Sequence, residues 1–158
     1  MQQSTSMGIV TSVVQVVKWL DAPEEHDYPA ASAYLQLIAT DTLITEIVAR
    51  LKTAETIHQK AKDLLRASRL PLLGPDNKHV AADLHKIAHG RPLSPILLVR
   101  GDLTIGLPLV IADGYHRVCA SYHTDENTDI PCRLVPAPIG TSAATMSTRS
   151  PSSVSQAS

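Results

Sequence analysis

The stretch IADGYHRVCASYH, residues 111–123, decides how this chain is read. It begins as a β-like apolar run, turns at Asp113-Gly114 and continues as the first turns of a helix. A strand that stops where a helix starts needs only a turn, yet this one also carries Tyr115, His116 and Arg117. A helix N-terminus offers unpaired backbone N–H groups and a partial positive charge, and a glycine there lets an anion approach the main chain closely. Arginine adds five donors and histidine one or two. Gly114, His116 and Arg117 therefore fit a phosphate cradle. They also fit an ordinary helix cap with solvated side chains, and spacing alone leaves both readings open.

Outward from this junction the pattern is that of an α/β domain. SPILLVR (94–100) is an apolar run of strand length, GDLTIG (101–106) a loop, and LPLVIAD (107–113) a second buried strand. In IPCRLV (130–135), Ile130, Cys132 and Leu134 alternate with other residues, as in a strand. Upstream, a short apolar piece at Leu70–Leu73 ends at Gly74-Pro75. A helix capped by Asp76 or Asn77 then carries Val80, Leu84, Ile87 and Ala88 inward until Gly90 stops it. The expected order over Leu70–Val135 is β-α-β-β-α-β.

The N-terminal part reads as helical. Asp27 is expected to cap a helix with Pro29 in its first turn, and Ala30, Tyr34, Leu37 and Ile38 share one face. From Asp41 to Ser68, Ile44, Ile47, Leu51, Ala54, Ala61 and Leu65 recur at mostly helical steps and predict one long amphipathic helix. Its basic residues, interleaved with acids, form a solvated face. Residues 136–158 are rich in Ser, Thr, Pro and Ala without periodicity, the composition of a disordered tail. The expected division is a helical extension over 1–68, an α/β (α+β) domain over 69–135 and a tail over 136–158.

Composition narrows the function classes. The 158 residues include no phenylalanine and only five aromatic side chains (one Trp, four Tyr), so aliphatic residues must build the core. A net charge of −1 argues against a general nucleic-acid or anionic-membrane surface while allowing a small basic pocket. Cys119 and Cys132 lie in apolar surroundings without CxxC spacing and read as buried thiols in a reducing compartment. MGIVTSVVQVVKWL (7–20) lacks a basic leader, is broken by Thr11, Ser12 and Gln15, and is too short to span a bilayer. The expectation is a cytoplasmic protein without membrane contact.

PLSPILLVRG, PLVIADGYHRVCASYH and IPCRLV resemble the ParB/sulfiredoxin superfamily, in which a Gly-x-x-Arg box opens the helix after a strand. Sulfiredoxins carry Gly-Cys-His-Arg there and ParB-type partition proteins Gly-Glu-Arg-Arg. Gly114-Tyr115-His116-Arg117 is nearer the sulfiredoxin form. The resemblance covers Leu70–Val135 and implies a ParB/sulfiredoxin-like domain with a small mixed sheet that binds a nucleotide (ATP, ADP or CTP, with Mg²⁺) through its phosphates. On that reading His116 and Arg117 hold phosphate oxygens, Gly114 supplies the close backbone approach and Tyr115 lies beside them. Lys78 and His79, opening the preceding helix, form a second basic edge. Asp113 is either the general base or the residue that holds the turn and orients Arg117.

Two departures from the family matter. Tyr115 replaces the sulfiredoxin nucleophile, and a phenol cannot stand in for a thiolate, so sulfinic-acid chemistry is not expected. No helix-turn-helix pattern accompanies the domain, so DNA is not the favoured partner. Two alternatives stand beside nucleotide binding: a phosphotransferase or nuclease using the same pocket, and an interaction module whose long helix pairs with a partner while the pocket is vestigial. His85 and His89, and His116, Cys119 and His123, recur at helical spacing without four converging ligands, so no metal site is assigned. Asp125, Glu126 and Asp129 read as a solvated loop, with Mg²⁺ binding as the sharper alternative. A chain ending at Pro138 is expected to melt with the full-length protein, because the tail lacks the apolar content to offset its ordering entropy; thermal unfolding of the two chains checks this.

Overall fold

Ile96, Leu97, Leu98 and Val99 are apolar at successive positions, so a strand here presents apolar side chains to both faces and must be covered on both. The computed structural model, which describes residues 14–138, meets that requirement with a sheet between two helical layers. In chain order the elements are α1 (Asp27–Leu35), α2 (Asp41–Thr53), β1 (Thr56–Lys60), α3 (Ala61–Ser68), α4 (Lys78–Ala88), β2 (Ile96–Arg100), β3 (Val110–Asp113), α5 (Tyr115–Thr124) and β4 (Asp129–Pro136). A short 3₁₀ turn at Leu103–Ile105 lies between β2 and β3. The sheet order is β1-β4-β2-β3, with β4 parallel to β2 and the two outer pairs antiparallel.

The two faces are filled by alternate residues of the same strands. Ile96, Leu98, Ile111, Ile130 and Cys132 pack with Leu64, Val80, Ile87 and Val118 of α3, α4 and α5. Leu97, Val99, Ala112 and Val135 pack with Tyr28, Ala31, Leu35, Ile44, Ile47 and Leu51 of α1 and α2. The chain is thus α+β as expected, and its mainly helical N-terminal part also supplies an edge strand. Among the described residues no helix is long and apolar enough to cross a membrane.

Several local expectations are corrected. The single helix over Asp41–Ser68 is interrupted by β1, which pairs antiparallel with β4 from Thr56 opposite Arg133 to Lys60 opposite Asp129. Ala54 leaves α2 with extended backbone, and Arg133 Nη1 donates to the carbonyls of Leu51 and Lys52 at 3.2 and 2.9 Å, satisfying helix-end acceptors. The pairing and this distant cap override a helical spacing that was weakest between Ala54 and Ala61. Leu70–Leu73 forms no strand, so the strand preceding α4 is β1. In α1 the buried side chains are Asp27, Tyr28, Ala31 and Leu35, whereas Tyr34, Leu37 and Ile38 are exposed. In α4, Asn77 is the cap, accepting from the N–H groups of His79 and Val80, while Asp83 faces inward and Ala88 outward. Gly90 does end α4, at φ +66°. The expected tail lies beyond the described residues except at its first three positions.

Cys119 and Cys132 are fully buried, and burial pushes both thiols up, Cys132 to about 11. Native protein at neutral pH is expected to resist a thiol reagent at both positions until it is unfolded; kinetics of labelling with and without denaturant measure this.

Candidate functional site

β3 delivers Asp113 to its carboxyl end and Gly114 turns the chain into α5. Gly114 has φ +106°, where side chains are strained, and a Cβ there would run into the Ile96 side chain and the Arg117 guanidinium. The first backbone bond of α5 runs from the Val118 N–H to the Gly114 carbonyl at 3.0 Å. The N–H groups of Tyr115, His116 and Arg117 precede it, and no side chain caps them.

Arg117, 13% exposed, lies between two carboxylates. Its Nη2 donates to Asp113 Oδ2 at 2.5 Å and its Nη1 to Asp27 Oδ1 at 3.3 Å, leaving three of its five donors. Asp27 is not the expected side-chain cap of α1. Its carboxylate is buried and accepts the Glu24 N–H at 2.8 Å and the Ser94 hydroxyl. Burial works to raise the Asp27 pKa, but the Ser94 hydrogen bond and the Arg117 charge outweigh it, and the carboxyl is held below its ordinary value. Asp113 moves the other way: burial, reinforced by the charge of Asp27, outweighs the attraction of Arg117 and raises its pKa. Arg117 lowers both acids, and the pair splits because Asp27 also accepts from Ser94 and the Glu24 N–H while its charge bears on the buried Asp113.

A cleft of about 340 Å³ opens beside this network. Asp113, Gly114, His116 and Arg117 line it together with His79, Asp83 and Lys86 of α4. The His79 and His116 rings lie 4.7 Å apart, centroid to centroid. Burial, and then the neighbouring His79, lowers the His116 pKa, so the neutral imidazole is favoured in the free protein. Asp83 is pushed up by burial and lies 3.7 Å from Lys86 Nζ. Glu24, His26 and Ser94 complete the rim near α1.

The residues expected from sequence divide accordingly. Asp113, Gly114, His116, Arg117 and His79 share the cleft, whereas Lys78 starts α4 but does not line it. Tyr115 lies on the far side of the turn, where its hydroxyl donates to the Pro71 carbonyl and burial raises its pKa. With the His123 ring nitrogen 2.7 Å from the Leu73 carbonyl, it pins the segment before α4 against α5. Asp125, Glu126 and Asp129 lie at the opposite end of α5, about 15 Å along a ten-residue helix. Asp125 accepts the Asn127 N–H, Glu126 accepts the Tyr122 hydroxyl, and Asp129 pairs with Lys60. They are therefore not placed to hold Mg²⁺ for a ligand at Gly114. His89 Nδ1 lies 2.8 Å from the His85 carbonyl, a helix-end contact. The donor atoms of Glu24, His26 and Asp27 lie within 4.8 Å of one another, the spacing of a small cation site, but Asp27 already serves Arg117 and Ser94.

Asp27, Asp83, Lys86 and Ser94 are cleft residues the sequence reading missed. Asp83 left a signal, an acid at i+3 on the apolar stripe of Val80, Leu84 and Ile87. Asp27 left none, since its partner Arg117 is 90 residues away. Comparisons with protein-family models, curated proteins and solved structures find no match to the chain.

Removing Arg117 leaves two inward carboxylates without their cation, so Arg117→Ala is expected to cost about 3–5 kcal/mol of stability. The raised Asp113 favours folding below its unfolded pKa and loses that contribution as pH rises through the folded value. The lowered Asp27 favours folding above its unfolded pKa and loses it as pH falls through the folded value. Relative to the parent chain, Asp113→Asn should therefore gain stability, and Asp27→Asn lose it, as pH rises from the acid range to neutrality; urea unfolding across that range separates them.

Proposed function

We propose that this chain binds a phosphorylated small molecule, a nucleotide in the first instance, at the start of α5. The observation that carries the reading is the uncapped N-terminus at Gly114 sharing one cleft with the His79–His116 pair. The N–H groups and the helix dipole favour an anion, and imidazolium rings supply charge-assisted donors. Three of the four acids lining the cleft lie beside a permanent cation, two of them beside the same one. Asp27 and Asp113 share Arg117, Asp83 has Lys86, and Glu24 lies 3.5 Å from His26. Arg117 on this view first holds the turn in place and offers its remaining donors second.

The resemblance of Gly114-Tyr115-His116-Arg117 to the ParB/sulfiredoxin box supports the same reading and points to ATP, ADP and CTP as the ligands to try, with and without Mg²⁺. Tyr115, tied to Pro71, serves as a strut of the turn. The single long helix on which the interaction-module alternative rested is not formed.

Because the free protein favours neutral His116, an anion that selects the imidazolium must draw in a proton. Calorimetric titration of inorganic triphosphate and ATP is expected to show binding that tightens as pH falls below the ordinary imidazole range, with proton uptake seen as a buffer-dependent enthalpy. His116→Ala should weaken binding about ten- to a hundredfold, the worth of a charge-assisted hydrogen bond. Absence of binding by either probe overturns the proposal, and Mg²⁺-dependent release of phosphate from ATP would turn it into a phosphotransfer or hydrolytic activity.

A further inference from the structure

A second cavity, of about 380 Å³, lies on the other side of the α5 start. Its walls are Tyr34, Leu70, Ile111, Ala112 and Tyr115, so it is apolar where the first cleft is polar. The two share part of their lining. Ala30, Asp113, Gly114 and His116 line both. Helix α1 runs past the pair, because Asp27, Ala30 and Tyr34 are spaced three and four apart and lie on one face. The adjoining face of the same helix, with Tyr28, Ala31 and Leu35, is what packs on the sheet. Tyr34 is left 43% exposed, an aromatic side chain at the edge of a cavity and outside the core.

We propose that the two cavities are one site for a single nucleotide, whose phosphates lie at the α5 N-terminus and whose base occupies the lobe bounded by Tyr34, Leu70 and Tyr115. This rests on the proposed function and adds to it the part of the ligand that is not phosphate. A ligand crossing from one lobe to the other must be anionic at one end and flat and largely apolar at the other, with a short connection passing Gly114. A nucleoside triphosphate has that division. Each lobe is near the lower end of ligand-cavity volumes, and together they fall within that range. Gly114 and His116 form the boundary that the two lobes share, and the phosphate chain would cross there. Tyr34 gives a base a π-face on which to stack, and the Tyr115 ring, tethered by its hydroxyl to Pro71, forms a fixed wall. The base lobe thus depends on α1 and on the segment before α4, which lie outside the box itself.

The test compares ATP, CTP and inorganic triphosphate by calorimetry on the full chain and on Tyr34→Ala, with melts of each apo protein. The proposal expects at least one nucleotide to bind about tenfold or more tightly than triphosphate, the scale of one base–aromatic stack. It expects that ratio to fall toward one in Tyr34→Ala, whose exposed position should leave the melt near that of the parent. A Tyr34→Phe variant should retain most of the ratio, since the ring and not the hydroxyl is the stacking surface. Equal binding of triphosphate and both nucleotides overturns the base lobe while leaving the phosphate reading intact. Loss of binding by all three probes overturns both. A ratio untouched by Tyr34→Ala, together with a change from dimer to monomer in sedimentation, assigns the lobe to a second copy of the chain and likewise overturns the inference.

Discussion

Arg117 holds together the three elements that meet at the cleft. Its guanidinium takes one carboxylate from the first residue of α1 and one from the last residue of β3, while its backbone belongs to the first turn of α5. Charges this far from water are tolerated only when paired and hydrogen-bonded. Here Ser94 and the Glu24 N–H complete the coordination of Asp27. The geometry of the Gly114 turn, and the placing of α1 over the sheet, both follow from this pairing. A residue that reads as a ligand-binding arginine is therefore also a joint of the fold.

The sheet explains why the joint lies where it does. β2 is buried on both faces, so helices must cover both, and the two layers come together where β3 ends at the sheet edge. α1 arrives from one layer and α4 and α5 from the other. Their polar residues gather there because each helix turns its apolar stripe toward the sheet and leaves its flank to the gap. Asp27 and Tyr34 are on such a flank of α1, as His79 and Asp83 are on α4. The cleft and its apolar neighbour are two sides of one seam, divided by Gly114 and His116.

Much of this is legible in the sequence. The apolar runs of β2 and β3, the glycine-led start of α5, the Asn77 region as a helix start and Gly90 as its stop all rest on local rules of packing period and backbone conformation. The failures have one cause. β1 is hidden inside an apparent helix because its hydrogen bonds go to β4, about seventy residues later, and the end of α2 is satisfied by Arg133 of that same strand. Local pattern misassigns the covered face of α1 because more than one face carries apolar residues, and only the position of the sheet says which is covered.

The sequence by itself determined the α+β class, the strand-to-helix junction at Asp113-Gly114 and the presence there of His116 and Arg117, since each depends on neighbours within a few residues. Tertiary structure alone decided that Arg117 is shared by two acids, that His79 stands beside His116, that Lys78 and Tyr115 do not enter the polar cleft, and that Tyr34 borders an apolar lobe. The physical reason is that pairing of charges and burial of side chains depend on distance in space. For Asp27 and Arg117 that distance is 3.3 Å across a separation of 90 residues, which no local pattern encodes.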